Sequence, residues 1–182
     1  MMMMGSKDAF DPGILKNISI IRKHILKGEQ SIMGNYVSIE TAVAEASAAL
    51  GCRVTQIPGK KIMFQGTDSY GRKFILVTPQ AKRQDKGFFW SDLTEVQYNL
   101  LDSAYSAVIV YRKEGGGTTT VDWSGLRNYL TRACMKYNAN EGNHWKLYIY
   151  PGYIKIVGND ETLPLVSSTR SRKDIIRGVI NS

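Results

Sequence analysis

The residues best suited to chemistry lie on either side of one predicted turn between two β-rich segments. Asp68 and Gln80 supply side-chain oxygens, and Lys82 supplies a cation two positions after Gln80. Carboxylate and amide oxygens bind hard cations such as Mg²⁺, and a bound cation can activate water and neutralise a phosphate. A neighbouring lysine can then orient the attacking water. These residue types predict metal-dependent chemistry on a phosphodiester.

The net charge favours the same class of partner. The 182 residues include 24 lysines and arginines against 16 aspartates and glutamates, a formal charge of +8. Phosphate contacts dominate the affinity of proteins for nucleic acids, so a basic chain is typical of proteins that bind them. The predicted nucleic-acid contacts surround the same turn: Lys60, Lys61, Arg72, Lys73, Arg83 and Lys86. DNA is the expected partner, and RNA is the alternative.

Cysteine usage and hydropathy bear on location. Cys52 and Cys134 lie far apart, without the close spacing of a zinc site or a disulfide framework. The apolar runs are shorter than the roughly 20 residues that a membrane-spanning helix needs. The N-terminus has no signal-peptide pattern. We therefore expect a protein of the reducing cytoplasm with no membrane partner.

The hydrophobic pattern predicts helices and strands in alternation. Helices are predicted from Asp11 to Gly28, Ser38 to Leu50, Asp92 to Ala104, Trp123 to Tyr137 and Ser171 to Ile180. Strands are predicted over residues 53–57, 62–67, 73–78, 107–112, 144–150 and 153–157. Pro79 is expected to end regular pairing, and Gly115 to Thr120 to form a flexible connection. This order predicts an α/β fold with a mixed central β-sheet flanked by helices.

The segment from Ser38 to Arg112, with its predicted order of helix, three strands, helix and strand, resembles the core of the PD-(D/E)XK nucleases. That family includes restriction endonucleases and archaeal Holliday junction resolvases. Gln80-Ala81-Lys82 is similar to the Q-x-K form of the family motif. The resemblance implies a restriction-endonuclease-like core that hydrolyses DNA.

The resemblance also implies roles for single residues. Glu40 and Asp68 would bind Mg²⁺, and Asp68, Gln80 and Lys82 would be the catalytic residues. Residues 38–182 would form the nuclease-like α/β domain, after an N-terminal helix and loop appendage over residues 1–37. A homodimer would suit an enzyme that cuts both strands of a duplex.

Two alignments with the family motif stay open. If the hairpin strands pair about the turn after Asp68, Gln80 lies about 20 Å from Asp68, too far to share one ion. The second alignment places Pro58-Gly59 at the Pro-Asp position, and Thr78 and Gln80 at the positions of the acid and the lysine. It implies binding without cleavage. A third interpretation is a structural or assembly protein whose charge is incidental.

Aromatic residues accompany the basic ones in the second half of the chain. Most of them are expected to be core, and the set is Phe88, Phe89, Trp90, Tyr98, Tyr105, Trp145, Tyr148, Tyr150 and Tyr153. The alternative is that aromatics alternating with Lys146 and Lys155 present one exposed face of a hairpin. Such a face could stack on nucleic-acid bases.

Overall fold

The computed structural model describes residues 35–50, 53–67 and 70–165. These residues belong to the larger of two compact units, Gly34–Ser182. The predicted helices Asp11 to Gly28 and Ser171 to Ile180 lie outside the described residues, as does Asp68. The division into residues 1–37 and 38–182 stays a prediction.

Three α-helices and eleven strands make up the described part of the chain. The helices are α1 (Ile39–Leu50), α2 (Glu95–Asp102) and α3 (Trp123–Leu126), with 3₁₀ turns at Arg127–Tyr129 and Arg132–Cys134. The strands are β1 (Val54–Gln56), β2 (Met63–Thr67), β3 (Lys73–Val77), β4 (Gln80–Arg83), β5 (Phe89–Thr94), β6 (Ser106–Lys113), β7 (Thr118–Asp122), β8 (Lys136–Asn138), β9 (Gly142–Tyr150), β10 (Tyr153–Ile156) and β11 (Thr162–Pro164). None of the described helices has the length and apolar character needed to cross a membrane.

The first half of the sheet is mixed. Strands β1, β2 and β3 pair antiparallel in that order, and β6 lies parallel to β3. The chain passes from β3 to β6 through β4, β5 and α2, a long crossover of the kind that parallel neighbours require. Strand β7 covers the other edge of β6. Between α1 and α2 the chain forms five strands and not the predicted three, because β4 and β5 are additional to the predicted strands.

Pro79 marks the point where the sheet changes direction. It ends β3 as predicted, but pairing with β6 resumes at once, because Gln80 pairs with Arg112. Proline lacks only the N–H group, and the Pro79 carbonyl still accepts a hydrogen bond from the Arg112 N–H at 2.9 Å. The opposite edge pairs with β2 before Pro79 and with β5 after it. One continuous stretch of chain therefore joins two halves of a curled sheet.

The second half of the sheet is antiparallel. Strand β5 pairs with β4 on one side and β9 on the other, and β10 and β11 extend the sheet beyond β9. The predicted hairpin around Pro151-Gly152 is confirmed. Gly152 has a φ of +95°, a conformation that favours glycine at the second central position of such a turn.

Two hydrophobic clusters cover the two faces of the first half-sheet. The smaller cluster packs α1, through Ala42 and Ala46, against residues such as Phe74 and Val108. The larger cluster fills the space between the other face, the inner face of the second half-sheet, and α2 and α3. The predicted mixed α/β architecture with helices on both faces is confirmed at this level.

The predicted start of α2 at Asp92 is wrong. Asp92 lies in β5, and α2 begins at Glu95. Thr94 is the cap: its Oγ1 accepts a hydrogen bond from the Gln97 N–H at 3.3 Å, and Gln97 Oε1 accepts one from the Thr94 N–H at 3.0 Å. Thr94 and Gln97 have the same spacing as Asp92 and Glu95. The local sequence pattern therefore fits a capping box, in which the cap and the third helical residue bond to each other's backbone, at either position.

Two further expectations are wrong between β6 and β9. The long helix predicted from Trp123 to Tyr137 ends at Leu126, and the chain continues through 3₁₀ turns into β8. The predicted flexible connection from Gly115 to Thr120 is a turn at its glycines only. Its threonines enter β7, where β-branched side chains suit the pleated strand.

Candidate functional site

An open cleft of about 380 Å³ lies where the start of α1 meets the segment before β2 and the start of β4. Its lining is Ser38, Ile39, Glu40, Lys61, Ile62, Gln80 and Arg112. Ser38 caps α1, with its Oγ accepting a hydrogen bond from the Thr41 N–H at 3.0 Å. This cap places Glu40 in the first turn of the helix. The cleft therefore brings together Glu40 and Gln80, two of the residues predicted to act on a phosphodiester.

Arg112 is the buried cation of this cleft. The residue is 6% exposed, and its Nε and Nη1 donate hydrogen bonds to the carbonyls of Thr78 and Val37, each at 3.0 Å. Burial lowers the pKa of Arg112, and the nearby Glu40 carboxylate opposes that shift. A guanidinium keeps its charge in proteins, so the cleft has a fixed positive wall. Sequence analysis missed Arg112 because it ends an apolar strand with no motif around it.

The polar groups of the cleft suit an anion better than a divalent cation. Among the described lining residues, Glu40 is the carboxylate and Gln80 supplies an amide oxygen, whereas Lys61 and Arg112 are cations. Lys82 follows Gln80 by two residues on β4 and is exposed as Gln80 is, with the buried Ala81 between them. Magnesium takes six oxygen ligands, partly from water and usually with one or two carboxylates. With two cations beside the one described carboxylate, the described lining fits this ion poorly.

The hairpin register bears on the two alignments with the nuclease motif. Met63 pairs with Val77, and Thr67 pairs with Lys73. The Thr78 N–H donates to the Ile62 carbonyl at 2.9 Å, so the two chains continue side by side towards Gln80. Thr67, the last described residue of β2, is separated from the Gln80 end of the hairpin by about 23 Å of strand. Asp68 itself lies outside the described residues.

The structure divides the predicted nucleic-acid contacts into two groups. Lys60 and Lys61 lie in the turn before β2, at the end of the hairpin where the cleft opens. Arg72 and Lys73 lie at the opposite end of β3. There the Arg72 guanidinium lies 4.1 Å from the centroid of the Tyr105 ring, and Lys73 Nζ donates to Ser103 Oγ at 3.2 Å.

The remaining predicted contacts follow Lys82. Arg83 is the exposed last residue of β4, and its backbone N–H donates to Glu114 Oε2 at 2.8 Å. Lys86 is exposed in the turn between β4 and β5. These two residues and Lys82 therefore lie on β4 or just after it, away from Arg72 and Lys73 at the start of β3.

A row of cations and aromatic rings crosses the outer face of the second half-sheet. Lys82 of β4 pairs with Trp90 of β5, Trp90 with Tyr148 of β9, and Tyr148 with Lys155 of β10. The two lysines are exposed and the two rings are partly exposed. Neighbouring strands lie about 4.8 Å apart, so this outer-face row spans about 15 Å.

Further rings flank the outer-face row. The rings of Phe88 and Tyr150 stack with centroids 5.0 Å apart, and those of Tyr150 and Tyr153 stack at 4.6 Å. Lys146 Nζ lies 4.9 Å from the centroid of the Trp90 ring. Trp145, in contrast, is buried in the larger cluster. The aromatic residues are therefore divided between the core and the surface. The surface rings include those of the β9–β10 hairpin, as in the alternative interpretation of the sequence.

A second group of polar side chains belongs to the same half-sheet. One oxygen each from Asp92 and Glu141 and one ring nitrogen of His144 lie within 4.8 Å of one another. Asp92 precedes the α2 cap, and His144 lies across from Thr94 in the β5–β9 ladder. Sequence analysis placed Asp92 at the start of a predicted helix and residue 144 at the start of a predicted strand, and did not connect the two.

Comparison of the sequence with models of known protein families and with curated proteins finds no match.

Proposed function

We propose that this protein binds nucleic acid, DNA in the first place and RNA as the alternative, through the outer-face row and the adjoining cleft. The observation that carries the proposal is the cross-strand order of lysine, tryptophan, tyrosine and lysine in that row. Lysines at both ends can contact phosphates, while the rings between them can stack on bases or pack on sugars.

The charge around the row supports a polyanionic partner. Its first lysine, Lys82, follows the cleft residue Gln80 by two positions on the same strand, and Lys146 Nζ lies over the Trp90 ring. The cleft adds Lys61 and Arg112. A phosphate chain that crosses the row would therefore meet further cations at the cleft.

We propose a restriction-endonuclease-like core that binds without hydrolysis. The antiparallel pairing of β1, β2 and β3, with β6 parallel to β3, supports such a core. Strands β4 and β5 would be an insertion before α2. In the second alignment of the motif, Pro58-Gly59 and Thr78 replace the acidic residues. The poor fit of the cleft donors to Mg²⁺ supports this degenerate alignment.

Magnesium-dependent hydrolysis is the second candidate function. The observation that favours it is that Glu40 and Gln80 line one cleft, with Lys82 two residues further along β4. Glu40 would be a metal ligand and Lys82 would orient the water, while Mg²⁺ would supply the activated water and neutralise the phosphate. This function also requires the carboxylate of Asp68.

Fluorescence anisotropy with labelled duplex, four-way junction and single strands of DNA and RNA tests the binding proposal. The double variant Lys82→Gln and Lys155→Gln removes two cations from the row and keeps side-chain length. We expect at least tenfold weaker binding. The slope of log K against log salt concentration should be smaller in magnitude by about 2, because each phosphate contact releases about one counterion.

Arg132→Gln is the matched control, because Arg132 is exposed on the 3₁₀ turn next to Thr131, whose carbonyl accepts from the inner-face residue Trp145. The control should bind as the wild type does. Equal binding by the row variant and the wild type would exclude the row as the contact surface. Absence of salt-sensitive binding to every probe would leave only a structural or assembly role.

Incubation of supercoiled plasmid and four-way junction with Mg²⁺ or Mn²⁺ separates the two functions. Binding without nicking is the result that we expect. Nicking that is lost in both Lys82→Ala and Asp68→Ala would establish the hydrolase instead. Gel filtration of the same samples tests the predicted homodimer, and location in the reducing cytoplasm remains part of the proposal.

A further inference from the structure

We propose that Asp92, Glu141 and His144 form a binding site for one divalent transition-metal ion of the Zn²⁺ type. The three side chains each offer one ligand atom, and these atoms lie within 4.8 Å of one another. The site is separate from the cleft and does not depend on the proposed binding of nucleic acid.

The buried oxygen of Asp92 points to a missing partner. Asp92 Oδ1 is inaccessible to solvent, and no donor among the described residues reaches it. A buried carboxylate oxygen without a partner is costly, and a bound cation would satisfy it. Burial raises the pKa of Asp92; the charge of Lys146 opposes this rise, and the Glu141 carboxylate adds to it.

The cation nearest in the ladder does not occupy this position. Lys146 lies directly across from Asp92 on β9, but its Nζ lies over the ring of Trp90. Within the described part of the chain, no ion pair joins Lys146 to Asp92. Asp92 Oδ1 is therefore left without a hydrogen-bond partner among the described residues, with the Glu141 carboxylate and the His144 ring close to Asp92.

His144 is oriented as metal-binding histidines are. The residue is 5% exposed, and its Nδ1 lies 3.1 Å from the Gly142 carbonyl oxygen. A carbonyl oxygen only accepts hydrogen bonds, so this contact selects the tautomer with the proton on Nδ1, in which Nε2 is the nitrogen that can bind an ion. A backbone carbonyl that holds one ring nitrogen while the other binds the ion is a common arrangement around zinc.

Glu141 is the ligand that can close the site. It is exposed, and its Oε2 accepts a hydrogen bond from Asn138 Nδ2 at 3.0 Å, which leaves Oε1 for an ion. Ligands around a tetrahedral zinc lie about 3.4 Å apart at the usual bond lengths, so the three groups must approach one another on binding. Rotation of the exposed Glu141 side chain can supply this movement, and water would complete the coordination.

The ligand types select the class of ion. One imidazole with two carboxylates suits Zn²⁺, Co²⁺ or Mn²⁺, whereas Mg²⁺ prefers oxygen ligands alone. We therefore expect Zn²⁺ and Co²⁺ to bind and Mg²⁺ to leave the site empty at the same concentration.

Calorimetric titration of the EDTA-treated full chain with ZnCl₂, without nucleic acid, tests the site. We expect one ion per chain, a Zn²⁺-dependent rise in Tm, and visible absorption bands on titration with CoCl₂. Asp92→Asn and Glu141→Gln each preserve side-chain shape and should weaken Zn²⁺ binding at least tenfold. Glu161→Gln, at another exposed glutamate, is the control and should bind as the wild type does.

Two results would overturn the assignment. One is the absence of any Zn²⁺ or Co²⁺ binding by the wild type at micromolar concentrations. The other is one-to-one binding that both Asp92→Asn and Glu141→Gln retain, because the ion would then lie elsewhere. Since no nucleic acid is present, failure of this site leaves the proposed function untouched, and failure of nucleic-acid binding leaves the site untouched.

Discussion

Arg112 joins three segments of the chain through one side chain. It extends from the end of β6, and its guanidinium donates to the carbonyl of Thr78 after β3 and to that of Val37 before α1. Thr78 is buried, so its carbonyl has no access to water and needs a donor. The same residue thus positions the start of α1 and contributes positive charge to the cleft.

Arg112→Met should lower the free energy of unfolding by about 2 kcal/mol, because buried carbonyls lose their donors while most of the side-chain volume is kept. Lys61→Met, at an exposed position of the same cleft, should change it by less than about 0.5 kcal/mol. Urea unfolding followed by circular dichroism measures both. Equal effects of the two variants would contradict the structural role of Arg112.

At the scale of elements, the pairing of β1 with β2 depends on a close approach at Gly66. A Cβ atom added there would lie 2.9 Å from the Arg53 carbonyl oxygen and 3.0 Å from Val54 Cγ1. Because the nearer atom belongs to the backbone, a rotamer change cannot relieve the contact. The edge strand must therefore move if Gly66 carries a side chain.

Gly66→Ala should destabilise the fold by about 1–3 kcal/mol, as overpacking does elsewhere. Gly125→Ala is the control, since a Cβ there meets only Leu163 Cδ1, at an ordinary 3.7 Å, and lies within α3. Alanine favours helix over glycine, so the control should be neutral or slightly stabilising. Thermal unfolding of both variants measures the difference. A neutral Gly66→Ala would show that β1 adjusts freely.

At the scale of the described molecule, the two half-sheets share one interior. Ile109 of the first half-sheet and Leu147 of the second belong to the same buried cluster. The stretch from β3 to β4 also pairs with β2 in the first half-sheet and with β5 in the second. Neither half can lose its packing without exposing the other, so the two should unfold together.

Leu147→Ala should cost about 2–5 kcal/mol, as cavity-forming substitutions in protein cores do. Urea curves by circular dichroism and by tryptophan fluorescence should still coincide, because loss of the shared interior unfolds both half-sheets. Val96→Ala, at a residue 55% exposed on α2, is the control and should have little effect. Two separate transitions would show that the halves are independent.

Local pattern determined much of the scaffold. The hairpin of β2 and β3, the Ser38 cap of α1, the buried strand β6 and the Pro151-Gly152 turn all follow from residues close together in sequence. Periodicity and turn chemistry act over a few positions, so a single chain displays them directly. Where two local patterns competed, as at Asp92 and Thr94, only packing of β5 against β9 decided between them.

The sequence by itself thus determined the mixed α/β class, the basic character and the pairing of Glu40 and Gln80 as candidate site residues. Only the tertiary structure decided that Arg112 lies in their cleft, that Lys82 and Lys155 end one row of rings, and that His144 lies beside Asp92 and Glu141. These relations join segments far apart in the chain. They depend on which strands pair and in which register, and that is settled by packing of the whole core rather than by neighbouring residues.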